Sequence, residues 1–482
     1  MATAARSFGL TLGILAAAAS ALPGCSDTAK KKDTGEVTPQ GGPLALKGIV
    51  ASTNAGAALP GVTVTARCGA SVTNVPSNDF GEYSIAVPGT GCDRLVMTFE
   101  KESFRTVVRT LPLPTTRSQI DLDLHMAPLT EIICGQTACG WEGGGIAGGL
   151  GLFARGWGGG FGGQADRGAT PGEDFDDSGR PLLVLAGHEY DFRDASGQKI
   201  ATFATPSGTC HPLDPASYDE LQDARPSEKF PGATHLEVPL YQLDLATGRW
   251  MDTGQLAEVH AGAVDDEDIL RTKPYLESDL GDIRRGKPRE IDVTPDGFVP
   301  PDAGPDGEDG GTTAASNKLM AKEVYLCAPV PGSGIYAIAY PQEGKGCVVA
   351  DVVDGCDKPD DEAKVETFGR DRSFYNWGFT TGGGQACIVT PRSEAIGEVQ
   401  TLNGVQGETF WVDLSVTSTS GTVNVDALAL PVAEGSCATP DTCVHISIRT
   451  GTGCSPVADA APQAATDAGL TDGDGTIRIE SK

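Results

Sequence analysis

The stretch Ile120-Asp121-Leu122-Asp123-Leu124-His125 alternates apolar and polar side chains from end to end. Successive side chains of a β-strand point to opposite faces of the sheet, so a period of two indicates a strand with one buried side and one solvated side. Shorter runs with the same period precede it at Val62 to Ala66, Tyr83 to Val87 and Leu95 to Phe99. Residues 44–127 are therefore predicted to form an antiparallel β-sandwich with one buried face on each sheet.

The composition predicts the same fold class for the rest of the chain. The 482 residues include 64 glycines and 32 prolines, and only 6% are aromatic. A chain of this length and turn content is expected to be all-β, with several antiparallel β-sandwiches joined by flexible linkers rich in Gly, Pro and Asp. The formal net charge of -29 disfavours binding to nucleic acid, because phosphates would be repelled.

Three motifs in the first predicted sandwich resemble a known module. They are Gly48-Ile49-Val50, Leu59-Pro60-Gly61-Val62-Thr63-Val64 and Asp79-Phe80-Gly81-Glu82-Tyr83-Ser84-Ile85. Their order and spacing are similar to those of the carboxypeptidase regulatory-like domain. The resemblance implies a transthyretin-like β-sandwich that serves as a non-catalytic accessory and is often classed as carbohydrate-binding-like. Tight turns at the Pro-Gly pair and at the glycine of the third motif suit such a fold.

Residues 319–454 resemble a second, divergent copy of this module. The run Cys347 to Gly355 is strand-like, and the turn Thr381-Gly382-Gly383-Gly384 precedes another strand-like run, Ala386 to Thr390. Lys358-Pro359-Asp360-Asp361 stands where the first copy has its Pro-Gly turn. The resemblance implies a second regulatory-like β-sandwich.

Residues 128–291 are predicted to form a β-rich middle domain. More than half of residues 140–163 are glycine, which disfavours a helix and predicts a surface loop. The stretch from Val238 to Trp250 resembles a structural β-rich module of proteins such as cartilage intermediate layer protein. Residues 292–318 are predicted to be an acidic Asp/Pro/Gly linker or a long excursion loop, and residues 455–482 a disordered tail.

The N-terminus has the organisation of a secretory leader. Arg6 is followed by an apolar stretch from Phe8 to Leu22, which is shorter than the roughly 20 residues that a membrane-spanning helix needs. Leu22-Pro23-Gly24-Cys25 resembles the lipobox of bacterial lipoproteins, from which Pro23 departs.

The lipobox resemblance implies a signal peptide at residues 1–24, lipidation of Cys25 and a lipidated tether at residues 25–43. Acyl chains on the cysteine would hold the protein on a membrane without crossing it. Ser26 follows the cysteine where an aspartate would favour the inner membrane, so the expected location is the outer membrane of a bacterial cell envelope.

The cysteine count fits an exported protein. Of the 13 cysteines, 12 remain if one is acylated, and an even number is typical of disulfide-bonded proteins outside the cytosol. Close spacing suggests local loops, and a wider pair suggests one bridge within the first sandwich, while the connectivity stays open. The candidate disulfide cysteines are Cys134 and Cys139, Cys437 and Cys443, and Cys68 and Cys92. Absence of Cys-x-x-Cys pairs disfavours zinc.

No catalytic or metal motif stands out. The sequence has no His-x-x-Glu pair, and His188-x-x-Asp191 and His211-x-x-Asp214 are the nearest approximations. No cofactor is therefore expected; calcium is the alternative, because carboxylates suit it and cluster at Glu173-Asp174, Asp176-Asp177 and Asp265 to Asp268. Solvation of these acidic runs explains them as well.

Aromatic side chains are the candidates for ligand contact. Trp141 and Trp157 lie in the glycine-rich segment, and Tyr375 and Trp377 lie in the cluster Phe374 to Phe379. Exposed rings can stack on sugars or on protein partners, whereas packing in the core would give the same sequence pattern.

The sequence predicts a non-catalytic envelope lipoprotein that presents β-sandwich modules for adhesion, scaffolding or carbohydrate binding. Its expected partners are the membrane, through the acyl anchor, and glycans or envelope proteins, with no nucleic acid. The alternative is a secreted hydrolase with an unfamiliar site in the middle domain.

Overall fold

The computed structural model shows an all-β protein with several sheets, which confirms the predicted fold class. All described residues belong to one compact unit, 40–482. None of the helical segments among these residues has the length and apolarity to cross a bilayer. The structure describes residues 43–54, 56–89, 91–113, 118–132, 139–141, 144–147, 155–161, 171–203, 207–212, 237–264, 270–274, 289–292, 318–321, 323–342, 344–369, 374–391, 399–402, 405–419, 421–431, 435–451 and 477–480.

The first β-sandwich has two sheets of four strands. One sheet has the order β4-β1-β7 with β8 also on β1, and the other has the order β3-β2-β5-β6. β1 pairs antiparallel with β4 and parallel with β7 and β8. The strands are β1 (Pro43–Ser52), β2 (Thr63–Cys68), β3 (Ser71–Pro76), β4 (Glu82–Pro88), β5 (Arg94–Glu100), β6 (Val107–Pro112), β7 (Gln119–Asp121) and β8 (Leu124–Met126).

The sheet β3-β2-β5-β6 departs from the prediction of one buried face per sheet. Met97 and Phe99 of β5 face the core of the sandwich, as the alternation requires. Val96 of β5 and Val108 of β6 point the other way and are also buried, because they pack in a cluster with residues of the middle domain. The outer face of this sheet is therefore the surface on which the first sandwich packs against the middle domain.

The middle domain is one antiparallel sheet of 11 strands. Its order is β10-β11-β14-β20-β16-β15-β21-β13-β12-β9, with β17 also on β16. The strands are β9 (Thr130–Ile132), β10 (Cys139–Trp141), β11 (Gly144–Ala147), β12 (Arg155–Phe161), β13 (Leu182–Arg193), β14 (Ser207–Pro212), β15 (Glu237–Asp244), β16 (Arg249–Val264) and β17 (Leu270–Pro274), followed after the pair β18 (Arg289–Asp292) and β19 (Lys318–Ala321) by β20 (Glu323–Val330) and β21 (Gly334–Pro341).

The sheet of the middle domain rolls over on itself. Four strands separate β14 from β13 in the hydrogen-bonding order. Nevertheless, the His211 ring of β14 lies 4.3 Å from the His188 ring of β13, measured between ring centroids. Trp250 is fully buried and belongs to a second cluster of side chains on this sheet, which also contains Tyr241 and Phe161. Trp250 is therefore a packing residue of the middle domain.

The glycine-rich segment is not simply a surface loop. Strands β11 and β12 lie within it and β10 overlaps its start, and β12 pairs with β13 along its whole length. Glycine is needed on both strands, because a Cβ on Gly187 of β13 would lie 2.0 Å from the Phe161 ring and a Cβ on Gly158 would lie 2.8 Å from Ile132. At these two positions the absence of a side chain allows neighbouring strands to pack closely.

The boundary between the middle domain and the second sandwich differs from the predicted one at residue 319. Strands β20 and β21 hydrogen-bond within the middle sheet, so the second sandwich begins with Lys345. The segment predicted as a linker is bracketed by the antiparallel pair β18 and β19, in which Asp292 faces Lys318. Residues 293–317, between these two strands, lie outside the described part of the chain, so both a linker and an excursion loop stay predictions for them.

The second β-sandwich has the sheets β25-β22-β29-β30 and β24-β23-β27-β26, with β28 also on β27. A single 3-10 turn, Pro440–Thr442, precedes β29. The strands are β22 (Lys345–Asp354), β23 (Lys364–Gly369), β24 (Tyr375–Phe379), β25 (Gln385–Pro391), β26 (Val399–Leu402), β27 (Val405–Ser418), β28 (Gly421–Pro431), β29 (Val444–Thr450) and β30 (Ile477–Glu480). β30 lies in the predicted disordered tail, where Ile479 pairs with Ile446 of β29.

The two sandwiches repeat one strand order. β22 pairs antiparallel with β25 and parallel with β29, as β1 does with β4 and with β7 and β8. The second sheets also correspond, since the order β24-β23-β27-β28 matches β3-β2-β5-β6. This internal repeat supports the resemblance of residues 319–454 to the first module, from β22 onward.

The turns of the two sandwiches repeat as well. The Ser77 hydroxyl accepts from Val62 N and donates to Leu59 O, and the Thr380 hydroxyl does the same with Ala363 N and Asp360 O. Gly81 and Gly384 have φ values of 74° and 73°, in the left-handed region that favours glycine.

Replacing Gly81 by alanine is expected to lower the free energy of unfolding by about 2 kcal/mol, because of the positive φ and a clash. The added Cβ would lie 2.4 Å from the Val50 carbonyl oxygen. Gly61 has a φ of 69° but no atom within 4 Å of an added Cβ, so Gly61→Ala should cost only about 1 kcal/mol. The midpoints of urea unfolding test this; equal shifts in the two variants would contradict the steric part of the argument.

The disulfides between described residues join cysteines at least 24 positions apart in the sequence rather than close neighbours. The structure pairs Cys68 with Cys92 inside the first sandwich. Cys437 and Cys443 do not close the local loop that their spacing suggested. The three other bridges between described residues are Cys210–Cys327 in the middle sheet, and Cys347–Cys443 and Cys387–Cys437 in the second sandwich. The Sγ atoms of Cys347, Cys387 and Cys443 lie within 4.8 Å of one another, but all three are oxidised and so offer no thiolate to a metal.

Candidate functional site

A cleft of about 440 Å³ lies between the two sandwiches. This volume falls in the range of ligand sites, about 300–1,000 Å³. The first sandwich contributes Arg109 and residues 122–125, and the second contributes the outer face of the sheet β24-β23-β27-β28. The lining residues of that face are Lys364, Glu366, Phe368, Tyr375, Trp377, Ser415, Thr417, Thr422 and Asn424.

Tyr375 and Trp377 line this cleft, but their rings are not open platforms. Tyr375 is 1% exposed and Trp377 is 7% exposed, and both belong to the core cluster of the first sandwich. The Arg109 guanidinium lies 4.9 Å from the centre of the Tyr375 ring, and the Tyr375 hydroxyl donates to Glu366. Burial raises the pKa of the Tyr375 hydroxyl, which therefore stays protonated. The packing alternative describes these two residues better than sugar stacking does.

Trp157 is also a packing residue. It is 4% exposed in β12, and the guanidinium groups of Arg155 and Arg193 lie 4.6 and 5.7 Å from the centre of its ring. A ring buried to this degree has no open face for a sugar. The backbone of Trp141 forms the end of β10, and its side chain lies outside the described part of the structure.

Glu173 joins the two walls of the cleft. Its carboxylate accepts hydrogen bonds from the backbone N–H and the hydroxyl of Thr110, at 2.9 and 3.1 Å, and from the indole N–H of Trp377. Thr110 belongs to β6 of the first sandwich and Trp377 to β24 of the second. One carboxylate, 4% exposed, therefore sets the position of one sandwich relative to the other.

The edge of β6 is covered by the segment before β13 and by β13 itself. Three successive outward N–H groups of this edge are satisfied: Thr106 N donates to Glu189, Val108 N to the carbonyl of Pro171 and Thr110 N to Glu173. An open strand edge is a template for pairing with another chain, and these contacts close it. They also attach the first sandwich to the middle domain.

Glu189 repeats the clamp that Glu173 makes. Its two carboxylate oxygens accept from the backbone N–H and from the hydroxyl of Thr106, both at 2.7 Å. Burial raises the pKa of Glu189 to about 7, although the Thr106 bonds and the Arg105 charge lower it. The carboxyl group is therefore near its titration point at neutral pH.

A cluster of polar side chains in the middle sheet was the natural place for the hydrolase alternative. The Tyr190 hydroxyl and His211 Nε2 are 2.7 Å apart, and His188 stacks on His211. Burial and the neighbouring His211 and Arg105 hold the pKa of His188 below its usual range. The cavity beside them is about 10 Å³, which is room for about one water molecule and not for a substrate.

The acidic runs considered for calcium are partly engaged with protein donors. Asp176 accepts from Ser178, from the Arg180 backbone and from the Arg180 guanidinium, and these bonds lower its pKa even though desolvation opposes them. Asp174 is buried, which raises its pKa. The run from Asp265 to Asp268 lies outside the described residues, as do Cys25, Cys134 and Asp214.

Sequence reasoning missed Arg109, Glu173 and Thr110 as the residues at the junction. A charged residue in an otherwise apolar strand was the available signal: β6 reads Val-Val-Arg-Thr-Leu-Pro, and its arginine is 3% exposed. Long polar side chains are seldom buried without a partner, so such a residue points to a contact between modules. The partner itself could not be identified from the pattern.

Known proteins give little direct help. No family model and no curated protein matches the chain. The chain is similar to the major pilin subunit BcpA of Bacillus cereus, at 8% identity over 86% of this chain and 100% of that chain, with a TM-score of 0.17. It is also similar to the major pilin SpaD from Corynebacterium diphtheriae, at 8% identity over 80% of this chain and 91% of that chain, with a TM-score of 0.18.

A further similar structure is the Bacillus anthracis TIE protein, at 10% identity over 85% of this chain and 50% of that chain, with a TM-score of 0.16. This chain thus spans about half the length of that structure. TM-scores this low do not carry an argument about function.

Proposed function

We propose that the protein is a non-catalytic, acyl-anchored scaffold of the bacterial cell envelope that docks protein partners in the cleft between its two sandwiches. The observation that carries this proposal is the cleft itself, which has a volume of about 440 Å³. It lies on the outer face of the sheet β24-β23-β27-β28, and the corresponding face of the first sandwich packs on the middle domain. Buried hydrogen bonds behind the cleft keep its walls in fixed positions, as a docking site requires.

The rigidity of the junction supports a scaffolding role. Glu173 ties both sandwiches to the segment before β13, and Glu189 ties the first sandwich to β13. The disulfides Cys68–Cys92 and Cys347–Cys443 brace the two sandwiches internally. Glycan binding has less support, because the rings of Tyr375 and Trp377 are buried.

A photo-crosslinking amino acid at Thr422 is expected to trap a protein partner in intact cells, because this exposed residue lines the cleft. The matched control is the same substitution at Thr73, an exposed threonine on β3 of the first sandwich. Denaturing gels should show discrete crosslinked species for position 422, at several times the yield for position 73. Equal yields, or none at position 422, would remove the cleft as a docking site.

The membrane anchor rests on the lipobox resemblance, since residues 1–42 lie outside the described part of the chain. Cys25→Ser is expected to release most of the protein from the membrane fraction, because the acyl chains supply the affinity. Fractionation and immunoblotting measure the distribution, with Ser26→Ala as the control. Tight membrane association of the Cys25→Ser protein would rule out this anchor.

A further inference from the structure

The outer face of the sheet β3-β2-β5-β6 in the first sandwich contacts a turn of the same chain, the one that joins β15 to β16. Gly248 of this turn packs so closely that a Cβ added to it would lie 2.5 Å from Thr110 and 3.3 Å from Val108. The Thr98 hydroxyl contacts the carbonyl oxygen of Leu245 in the same turn, at 3.4 Å. A tight turn of one module is thus seated on the sheet face of another.

The register of the two repeated sheets gives the corresponding positions in the second sandwich. Thr98 faces Val108 across β5 and β6 and precedes Phe99, which faces Val64 on β2. Ser415 faces Asn424 across β27 and β28 and precedes Val416, which faces Val365 on β23. Ser415 therefore corresponds to Thr98, and Asn424 corresponds to Val108.

Both corresponding residues line the open cleft. The Thr98 hydroxyl, which contacts a turn carbonyl in the first sandwich, corresponds to the Ser415 hydroxyl in the second. The apolar side chain beside it is replaced by the amide of Asn424, which is exposed. Lys364 and Glu366 stand on the same face, where β2 has Thr63 and Thr65.

We propose that the cleft between the two sandwiches binds a polar β-turn that projects from a hairpin of a protein partner. This inference rests on the proposed docking function and adds the chemistry of the docked segment. The Ser415 hydroxyl donates to a carbonyl of the turn, and the Asn424 amide pairs with its backbone or with a polar side chain. Lys364 and Glu366 form a charged pair, with Nζ and Oε2 3.1 Å apart. These charges favour a polar turn, whereas the corresponding site of the first sandwich has the apolar side chain of Val108.

The test uses peptides built on the hairpin Leu240–Asp252 of this chain, with the turn residues Leu245 to Gly248 randomised and the ends closed by a disulfide. Phage-displayed peptides are selected on the purified mature protein in detergent, and affinities of the synthetic winners are measured by isothermal calorimetry. The expected winners carry polar turns, and Ser415→Ala weakens them about fivefold, as loss of one hydrogen bond predicts.

Asn424→Arg is expected to weaken binding of these peptides more than tenfold by filling the cleft. Asn74→Arg, at an exposed asparagine on β3, is the matched control and should leave the affinity unchanged. Equal affinity for linear peptides would contradict recognition of a β-turn and indicate an extended segment. Selected peptides whose affinity is unaffected by Asn424→Arg would show that they bind outside the cleft.

Failure of this inference can be told apart from failure of the proposed function. If crosslinking at Thr422 traps a protein but no hairpin peptide is selected, the cleft docks proteins and the β-turn chemistry is wrong. If crosslinking at Thr422 fails as well, the docking function itself is wrong. Binding of sugars from a glycan array that is lost with Asn424→Arg would replace the peptide by a glycan.

Discussion

Replacing Glu173 by alanine is expected to lower the free energy of unfolding by about 4 kcal/mol, because it leaves buried donors without an acceptor. The variant removes the acceptor of the Thr110 N–H, of the Thr110 hydroxyl and of the Trp377 indole N–H. A buried donor that loses its partner costs about 1–3 kcal/mol, and no water reaches this side chain easily, since it is 4% exposed. The first and second sandwiches should separate before either one unfolds.

Glu173→Gln is the matched control for this prediction. Its amide oxygen can accept from the two N–H donors, and its NH2 group can donate to the Thr110 hydroxyl oxygen once that hydroxyl rotates. The cost should then stay below about 1.5 kcal/mol. Urea unfolding and hydrogen exchange of the Thr110 amide measure the two variants, with the exposed Glu102→Ala as a second control. A loss for Glu173→Ala no larger than for Glu102→Ala would show that the clamp contributes nothing.

Glu189→Gln is expected to change the pH dependence of stability by on the order of 3 kcal/mol. The folded protein holds the proton of Glu189 more tightly than the unfolded chain does, because burial raises the pKa from 4.5 to about 7. The contribution of this carboxyl to stability is therefore complete below pH 4.5 and is lost as the pH rises through 7. Glutamine does not titrate and keeps both contacts with Thr106, so it avoids that loss.

The difference in free energy of unfolding, Glu189→Gln minus wild type, should thus increase from pH 4 to pH 8. Other titrating groups, such as Asp174 with its raised pKa, are present in both proteins and cancel in this difference. Urea unfolding at pH 4, 6 and 8 gives the free energies, and exchange of the Thr106 amide gives a local measure of the same clamp. A difference that stays constant across this range would mean that Glu189 does not titrate with a raised pKa.

The strand content and the repeat of the sandwiches could be predicted because they depend on local patterns. Alternation with a period of two and the turn glycines Gly81 and Gly384 belong to single segments of the chain, where steric rules act between neighbours. The glycine-rich segment was less predictable, because the close approach of Gly187 to Phe161 depends on a partner strand rather than on the segment itself.

The cleft residues were predictable only in part. Tyr375 and Trp377 were singled out as aromatics, and the structure does bring them together at the cleft, but with their rings buried. Whether an aromatic ring faces solvent or another module depends on what covers its side of the sheet. The sequence of one strand does not contain that information.

The sequence by itself determined an all-β chain with two copies of one strand pattern, because side-chain alternation and turn geometry are properties of short segments. Only the tertiary structure decided that β20 and β21 complete the middle sheet, that β6 has its edge closed, and that a cleft remains between the sandwiches. The contacts responsible join residues far apart in the chain, since 204 positions separate Glu173 from Trp377 and 83 separate Thr106 from Glu189. Such pairs form only when the modules fold against each other and exclude water from the charged groups between them.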